Sequence, residues 1–552
     1  MKDIVIVGAG PVGLYAAALY IKVINKYHLP ITVTIIDPHA GNYRRERIVS
    51  NQVIEDVSSE FNLDIPKPSG IPVEAMYIRD LERTLYDYCL KSGVTIQQGT
   101  FQSLGKNKVK YTTSKGVSQV ACDLVMDFSG NKRVVINEVN RQKGPTALTI
   151  SQLGNNPVPQ HFSRYINLTP DEAKKLSSGK KLDPIKQARE LIKLRQTFEW
   201  PYFTLPDIDI RSAVDKDNSV NFFIYYEALP ALKEKSKSVQ LAFFKTILKL
   251  KYGFDEIDFT VKSHGDFIVN PHMVEKGFYQ MEDNNLLVVA GGDAEIEPDY
   301  RKGFGIEMGF NRLKGLFQST TFKPDGFELD LSHYNLIRSQ LMAMHKQLIT
   351  SLYQSRQREI KQSNLPNAKL YYLALADNAQ GEEARTLAEE LKLLGNAFYG
   401  INKYADAKEC YRKAVELYQS LSAPIPNTLL NYQSNLALAY LSLKDYDSCI
   451  ASANDAIKTF FTLGASDKNL FYKALFRKST ALLAIIDSNM GSSSKTNIGP
   501  LLEDLKETHQ FMVKHCGDME TTRTEQIAKR IAEIELTMLK TGPSPTHNNL
   551  FD

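Results

Sequence analysis

DIVIVGAGPVGLYAAALYIKVINKY, residues 3–27, decides how the N-terminal part of the chain is read. Asp3 to Gly8 is a short apolar strand built on IVIV, the turn GAGPVG follows at once, and Leu14 to Tyr27 reads as a helix with Ala16, Ala17 and Ala18 near its start. Gly8 lets the chain turn sharply, Gly10 leaves room for a pyrophosphate to approach the backbone, and Gly13 lets helix and strand pack closely. Phosphates then meet the helix N-terminus, where unpaired N–H groups and the helix dipole favour negative charge. The next strand, Ile31 to Asp37, ends in an acid placed to bind an adenosine ribose hydroxyl. Glycine-rich turns of this spacing also occur where nothing binds. The preceding strand, the following helix and Asp37 give this one its dinucleotide reading.

The chain has 552 residues, 43% apolar and 24% charged, a balance suited to several soluble globular domains of roughly 150 residues each. A net charge of +4 without a long Lys/Arg block gives no support for a nucleic-acid or anionic-membrane surface. Cys89, Cys122, Cys410, Cys449 and Cys516 are widely separated, with no CxxC pair, and read as reduced thiols. The apolar start imitates a signal peptide but is broken by Gly8, Gly10, Pro11 and Gly13. No apolar run approaches the ~20 residues of a membrane span, so a cytoplasmic protein is expected.

A second segment, NLLVVAGGDAEIEPDYRKGFGIEMGFNRL at 285–313, resembles the Gly-Asp motif of the p-hydroxybenzoate hydroxylase family of flavoprotein monooxygenases. The matching residues are Gly292, Asp293, Pro298, Gly303 and Gly305. The resemblance implies FAD: the Asp accepts a flavin-chain hydroxyl, and the glycines let backbone N–H groups reach the ring edge. It also implies the fold, an α/β FAD-binding domain of the glutathione-reductase-like Rossmann kind with an inserted β-sheet substrate region. ACDLVMDFSGNKR, 121–133, takes the place of the family's third motif, but carries Ser129-Gly130 where the hydroxylases carry Asp-Gly. That departure is closer to related flavin reductases and halogenases, and it puts direct reduction by NADPH, the candidate reductant, in question. The halogenase Trp-x-Trp pair cannot be present, because Trp200 is the only tryptophan. Arg44 and Arg79 match positions where the family places arginines near FAD, although both also suit solvated surface charges. No recognisable triad of His, Ser or Cys occurs, and the mechanism implied needs none, since a flavin C4a adduct would carry the oxygen.

Residues 140–280 are expected to form the substrate region, with strands at Val220–Tyr226 and Asp258–Lys262. Trp200, Tyr202 and Phe203 are candidates to line its pocket, ordinary packing being the alternative. A long helix from an N-cap at Ser332 to about Gln362 is followed by SNLPNAK, 363–369, read as a turn-rich domain boundary.

Beyond it, Gly395, Phe398, Ala407, Tyr411 and Ala414 fall on the packing positions of a tetratricopeptide repeat. A second unit places Ala437, Tyr440, Cys449 and Ala456 in similar register, and a third begins at KALFRKSTALLAI. The units recur about 42 residues apart instead of the usual ~34, through lengthened connections such as SLSAPIPNT. Lys392 and Asn396 share a helix face, Lys473 and Arg477 repeat that spacing, and Asn435 lies on the first helix of the middle unit. These five match the two-carboxylate clamp of tetratricopeptide co-chaperones that resemble the large immunophilins. The resemblance implies binding of the acidic EEVD tails of seventy- and ninety-kilodalton heat-shock chaperones.

The sequence thus predicts an FAD-binding oxidoreductase domain over 1–350, a helical linker over 351–380, an all-α tetratricopeptide superhelix over 381–540 and a flexible tail over 541–552. The function expected is an FAD-dependent, monooxygenase-like oxidoreductase that binds chaperone tails. Two other readings stay open: a chaperone-binding adaptor with a degenerate flavin fold, and a flavin reductase or dehydrogenase without hydroxylation.

Overall fold

The computed structural model describes residues 1–44, 48–63, 75–169, 171, 182–214, 220–253, 259–281, 285–302, 304–490, 498–517, 519 and 521–541. The chain forms two compact units, Met1–Lys181 with Leu205–Gln357, and Leu182–Thr204 with Arg358–Asp552. No helix among the described residues is long and apolar enough to cross a membrane.

The first unit opens with β1 (Asp3–Val7), α1 (Pro11–Tyr27), β2 (Thr32–Ile36), β3 (Thr95–Gln97), β4 (Leu124–Asp127) and α2 (Val134–Lys143). An antiparallel group follows: β5 (Gln160–Leu168), β6 (Ile208–Val214), β7 (Val220–Glu227) and β8 (Thr260–Ile268). The chain returns through β9 (Phe278–Gln280), β10 (Leu287–Ala290), α3 (Gly292–Glu295), α4 (Gly305–Gln318) and α5 (Leu331–Arg358). The main sheet has the order β9-β10-β4-β1-β2-β3, parallel except for β9. Ile4, Ile6, Leu124, Met126, Val288 and Val289 are buried in it, which is why these strands read as unbroken apolar runs. The second sheet, β6-β7-β5-β8, is wholly antiparallel. This is the α/β architecture with an inserted sheet that the sequence implied.

Three local expectations change. The strand expected at 258–262 begins at Thr260 and runs to Ile268, and Asp258 lies outside the described residues. The cap of α5 is Asp330, not Ser332: its Oδ1 accepts the N–H groups of Ser332 and His333 at 3.0 and 2.9 Å. The turn expected at 363–369 is instead the start of a helix, because Pro366 sits in its first turn, where a missing N–H leaves no hydrogen bond unmade.

Buried ion pairs fix the first unit's loops. Glu295, 1% exposed, accepts from Arg312 Nε at 2.8 Å and Arg338 Nε at 2.6 Å, and Arg312 also contacts His345 at 3.3 Å. Glu227, fully buried on β7, binds Arg356 near the end of α5, and Arg356 Nη2 donates to the Leu205 carbonyl at 2.7 Å. The residue at which the chain re-enters this unit is therefore tied to the helix by which it leaves.

The second unit contains α6 (Leu365–Ala376), α7 (Gly381–Gly400), α8 (Tyr404–Gln419), α9 (Pro426–Ser442), α10 (Tyr446–Thr462), α11 (Lys468–Met490), α12 (Ile498–Cys516) and α13 (Thr521–Thr541). Successive helices pair as the repeat pattern requires. A Cβ on Gly395 would lie 2.5 Å from the Tyr411 ring, and Ala407, Ala414, Ala437, Cys449 and Ala456 are fully buried. Of the segment expected as a linker over 351–380, the residues up to Gln357 belong to the first unit, and the rest joins this core through Leu365, Tyr372 and Leu375.

So does Leu182–Thr204, which the sequence placed in the substrate region. Its helix, Pro184–Phe198, is capped by Asp183 and contributes Ala188 and Ile192 to the same apolar cluster. Trp200 is 1% exposed with its Nε1 donating to Thr204 O at 2.7 Å, and Phe203 packs edge-on against Tyr372. Trp200 and Phe203 are thus packing residues of the helical unit, and Tyr202 lies in the same segment.

Two buried histidines make the first unit sensitive to acid. Burial, then Arg312, pushes His345 down to about 4, and burial, then Arg301, pushes His161 down to about 3. Above their ordinary value of 6.5 both are neutral in folded and unfolded chains. Below it only the unfolded chain gains protons, so stability falls as pH drops toward the folded values. From pH 7 to pH 5 the unfolding free energy should fall by about 2 kcal/mol per histidine, and His345→Gln should remove one histidine's share. A denaturant titration in which His345→Gln keeps the full pH slope would contradict this.

Candidate functional site

The glycine turn joins β1 to α1 at the C-terminal edge of the parallel sheet, the edge where open α/β sheets carry ligands. Gly8 has φ +114°, and a Cβ there would lie 2.3 Å from the Phe128 carbonyl oxygen. A Cβ on Gly13 would lie 2.1 Å from the Gly8 carbonyl oxygen, so both glycines are needed for packing alone. Gly10 is different: a Cβ there would meet nothing within 4 Å. Gly10 caps α1 with extended backbone and no side chain, Pro11 follows, and the first turn carries no acid. The positive end of a 17-residue helix therefore faces open space beside Gly10.

Asp37 follows β2. Its Oδ2 accepts from Ala9 N at 2.9 Å and its Oδ1 from His39 N at 2.6 Å, so the carboxylate is held against the glycine turn. Each oxygen keeps lone-pair capacity for a further donor. Arg44 is exposed, with Nε donating to Asn42 Oδ1 at 2.9 Å. Arg79 lies in the first turn of the helix Ile78–Lys91, its guanidinium 4.2 Å from the Tyr77 ring centre.

Strand order brings the Gly-Asp segment to this turn, since β10 and β1 flank β4. Gly291 N donates to Asp127 O at 3.0 Å, and Gly292 has φ +56° with Val12 and Phe128 about it. A Cβ on Gly309 would lie 2.9 Å from Val12, which shows how closely α4 crosses α1. Asp293 is exposed, in the short helix whose Glu295 anchors to Arg312 and Arg338. Pro298 packs on Gly305, where a Cβ would come within 2.7 Å. Gly303 lies outside the described residues.

Ser129 has a structural task. Its Oγ donates to Asp127 Oδ1 at 2.6 Å and accepts from Val134 N at 2.9 Å, while Asp127 Oδ2 takes the N–H groups of Val135 and Ile136. Burial pushes the Asp127 carboxyl up, and these donors oppose the rise. Arg133 links this loop to the Gly-Asp segment by donating to Ala294 O at 3.0 Å and pairing with Glu297 at 2.8 Å.

Sequence reasoning missed the face that the antiparallel sheet turns toward these loops. Tyr165 stacks on Phe223 at 4.6 Å, Tyr77 packs edge-on to Phe223, and Tyr225 lies 4.8 Å from Tyr300 in the loop after the Gly-Asp segment. His161 Nε2 meets the Val158 carbonyl at 2.9 Å, which can only accept, so that nitrogen carries the proton. Tyr300 OH therefore donates to His161 Nδ1 at 2.6 Å. Arg211 Nη2 donates to Tyr300 O at 2.8 Å.

In the helical unit the five residues expected to form a clamp, Lys392, Asn396, Asn435, Lys473 and Arg477, lie on α7, α9 and α11. Asn396 is exposed and accepts from Tyr411 OH at 2.7 Å through Oδ1, which leaves its amide N–H groups for a ligand. Tyr411 in turn feels the charge of Arg477. Arg477 donates to the carbonyl and hydroxyl of Ser434 on α9, and burial pushes it down to about 10. Asn435 Nδ2 donates to Asn431 at 3.3 Å. Lys473 is exposed, with no ion-pair partner among the described residues. Lys392 pairs with Glu389 at 2.6 Å, and Glu389 also accepts from Tyr432 OH at 2.6 Å.

The family model of the tetratricopeptide repeat matches residues 393–420 and 430–459. A DnaJ homolog subfamily C member 7 homolog of Schizosaccharomyces pombe is 35% identical over 79 residues, 14% of this chain and 15% of that protein. The chain thus spans about a seventh of that relative's length. The second unit therefore contains tetratricopeptide repeats. Among solved structures, the flavin-dependent monooxygenase PieE in complex with FAD and substrate is 15% identical, with a TM-score of 0.41 over 74% of this chain and 72% of that one. The 2-methyl-3-hydroxypyridine-5-carboxylic acid oxygenase is 12% identical, with a TM-score of 0.42 over 67% and 96%.

Proposed function

We propose that the first unit is an FAD-dependent oxidoreductase of the monooxygenase kind, and that the second grips acidic protein tails through its repeats. The observation that carries the first half is the meeting of the glycine turn and the Gly-Asp segment, with open space at Gly10 and a helix N-terminus behind it. The residues fit the group: α1 N–H groups would receive the pyrophosphate, Asp37 the ribose and Asp293 the flavin chain. FAD would supply the redox and oxygen chemistry, with NADPH as the candidate reductant. The protein's own part is to hold that group against the aromatic face of Tyr165, Phe223 and Tyr225, which suits a planar apolar substrate and keeps water out. Ser129 accepts the first N–H of α2 and donates to Asp127, so its departure from the family motif leaves the loop's geometry supported.

For the second half, Lys392, Asn396, Asn435, Lys473 and Arg477 present N–H donors and two lysines from three alternate helices. Such a set suits the paired carboxylates of an acidic chain end, the EEVD tails of heat-shock chaperones being the candidate. Glu389 already occupies Lys392, so an incoming carboxylate must compete with it.

Two experiments test these halves. Gly10→Val should cost no more than about 1 kcal/mol of stability through the poorer helix cap yet weaken FAD binding at least ~10-fold, whereas Gly13→Ala should cost about 2 kcal/mol through overpacking. Equal FAD affinity in wild type and Gly10→Val would remove the site. For the clamp, Lys473→Ala should weaken an EEVD peptide at least ~10-fold and Glu389→Gln should strengthen it. Unchanged affinity in both variants would exclude that role.

A further inference from the structure

The antiparallel sheet of the first unit holds a buried charge that no carboxylate balances. Arg164 on β5 is 5% exposed, and its Nη2 has no hydrogen-bond partner. Its Nε donates to the Tyr226 hydroxyl at 3.3 Å, and that phenol is neutral, burial pushing it up to about 12. The other buried arginines among the described residues, Arg133, Arg195, Arg312, Arg338 and Arg356, each pair with a carboxylate. Arg164 pairs with none among the described residues. A guanidinium keeps its proton in proteins, and a buried charge without a partner is costly. A water molecule can satisfy the Nη2 donor, but only an anion answers the charge.

The surroundings add positive charge. His264, on the edge strand β8, is the register partner of Arg164, so the two side chains share a face of the sheet. It is exposed, and after burial the charges of Arg164 and then Lys237 hold its imidazole below its ordinary value. Lys237 is exposed too, and it opens the helix Lys237–Tyr252, whose first turn carries no acid. The dipole of that helix is positive at this end. The single acid of β8, Asp266, is already engaged, pairing with Lys233 at 3.1 Å.

We infer that Arg164, Lys237 and His264 form a binding site for a phosphoryl dianion. Arg164 supplies a fixed charge and an N–H donor without a partner, while Lys237 and His264 supply donors from the solvent side. Two permanent positive charges match a dianion better than a single carboxylate. Because Nη2 is buried, binding requires a side chain to move, and the exposed His264 ring on the edge strand turns to admit the anion. Side chains alternate across a strand, so this face of β5 is opposite to that of His161 and Tyr165, and the site is separate from the proposed flavin site. Inorganic phosphate and the phosphate of a small monoester share the chemistry selected.

The test titrates the full chain with inorganic phosphate, glucose 6-phosphate and acetate by calorimetry at constant ionic strength. Phosphate should bind, and acetate at least ~10-fold more weakly. Arg164→Met, which removes an unpaired charge instead of breaking a pair, should fold and weaken phosphate at least ~30-fold. Lys237→Ala and His264→Ala, at exposed positions, should each weaken it about threefold, and they carry the test if Arg164→Met folds poorly. A monoester bound as tightly as the free ion makes phosphorylated small molecules the source, and binding of the free ion alone makes inorganic phosphate the source. Phosphate affinity unchanged in Arg164→Met, or in both Lys237→Ala and His264→Ala, places the anion elsewhere, as at the glycine turn or Lys473, and overturns the site. So does acetate bound as tightly as phosphate, or a wild type that binds no phosphate.

Discussion

The first unit depends on one buried carboxylate. Glu295 lies two residues beyond Asp293 and is gripped by Arg312 from α4 and Arg338 from α5. A carboxylate so deep is tolerable only with such partners, and the pairing fixes where the Gly-Asp segment stands. Gly277 serves the same end, because a Cβ there would lie 2.1 Å from Arg338 Nε. With that segment pinned, β10, β4 and β1 end side by side, and their loops crowd about Phe128 until only glycine fits at Gly8, Gly13 and Gly291. In these loops a Cβ on Gly10 or Gly130 would meet nothing within 4 Å, and the opening at Gly10 lies at the start of α1, where the proposed cofactor site is.

The helical unit applies the same device. Arg195 of the inserted segment and Glu390 of α7 form a buried pair, and Phe203 and Ile192 complete a core with Leu365 and Tyr372. The repeats thus begin against helices that are not repeats. Inside them, Tyr411 and Ser434 hold Asn396 and Arg477 in place, and this support would give the proposed carboxylate-binding set its fixed geometry.

What could be read from the sequence follows the reach of each signal. The glycine turn, the two packing patterns of the repeats and the buried parallel strands are local periodicities, and the structure has them. Ser332 was a plausible cap, but the carboxylate two residues earlier reaches the same N–H groups. Pro366 read as a turn because proline ends helices more visibly than it starts them. The site face of β5 stayed hidden because QHFSRYINL carries apolar or aromatic residues on both faces, so alternation marks neither. The sequence places Leu182–Thr204 with its neighbours along the chain, since its helix is an ordinary amphipathic one whose partner, Glu390, lies 195 residues from Arg195. The expected cofactor residues and clamp rest on motif spacing and family resemblance, which name positions but say nothing of the ion pair of Glu389 or the hydrogen bonds made by Tyr411 and Ser434.

A flavin titration of the purified chain tests the central claim most directly. The account predicts one FAD bound per chain, with the visible absorption bands of the flavin perturbed on binding. A protein that stays colourless through gel filtration after incubation with excess FAD, while its thermal midpoint shows it folded, would contradict it.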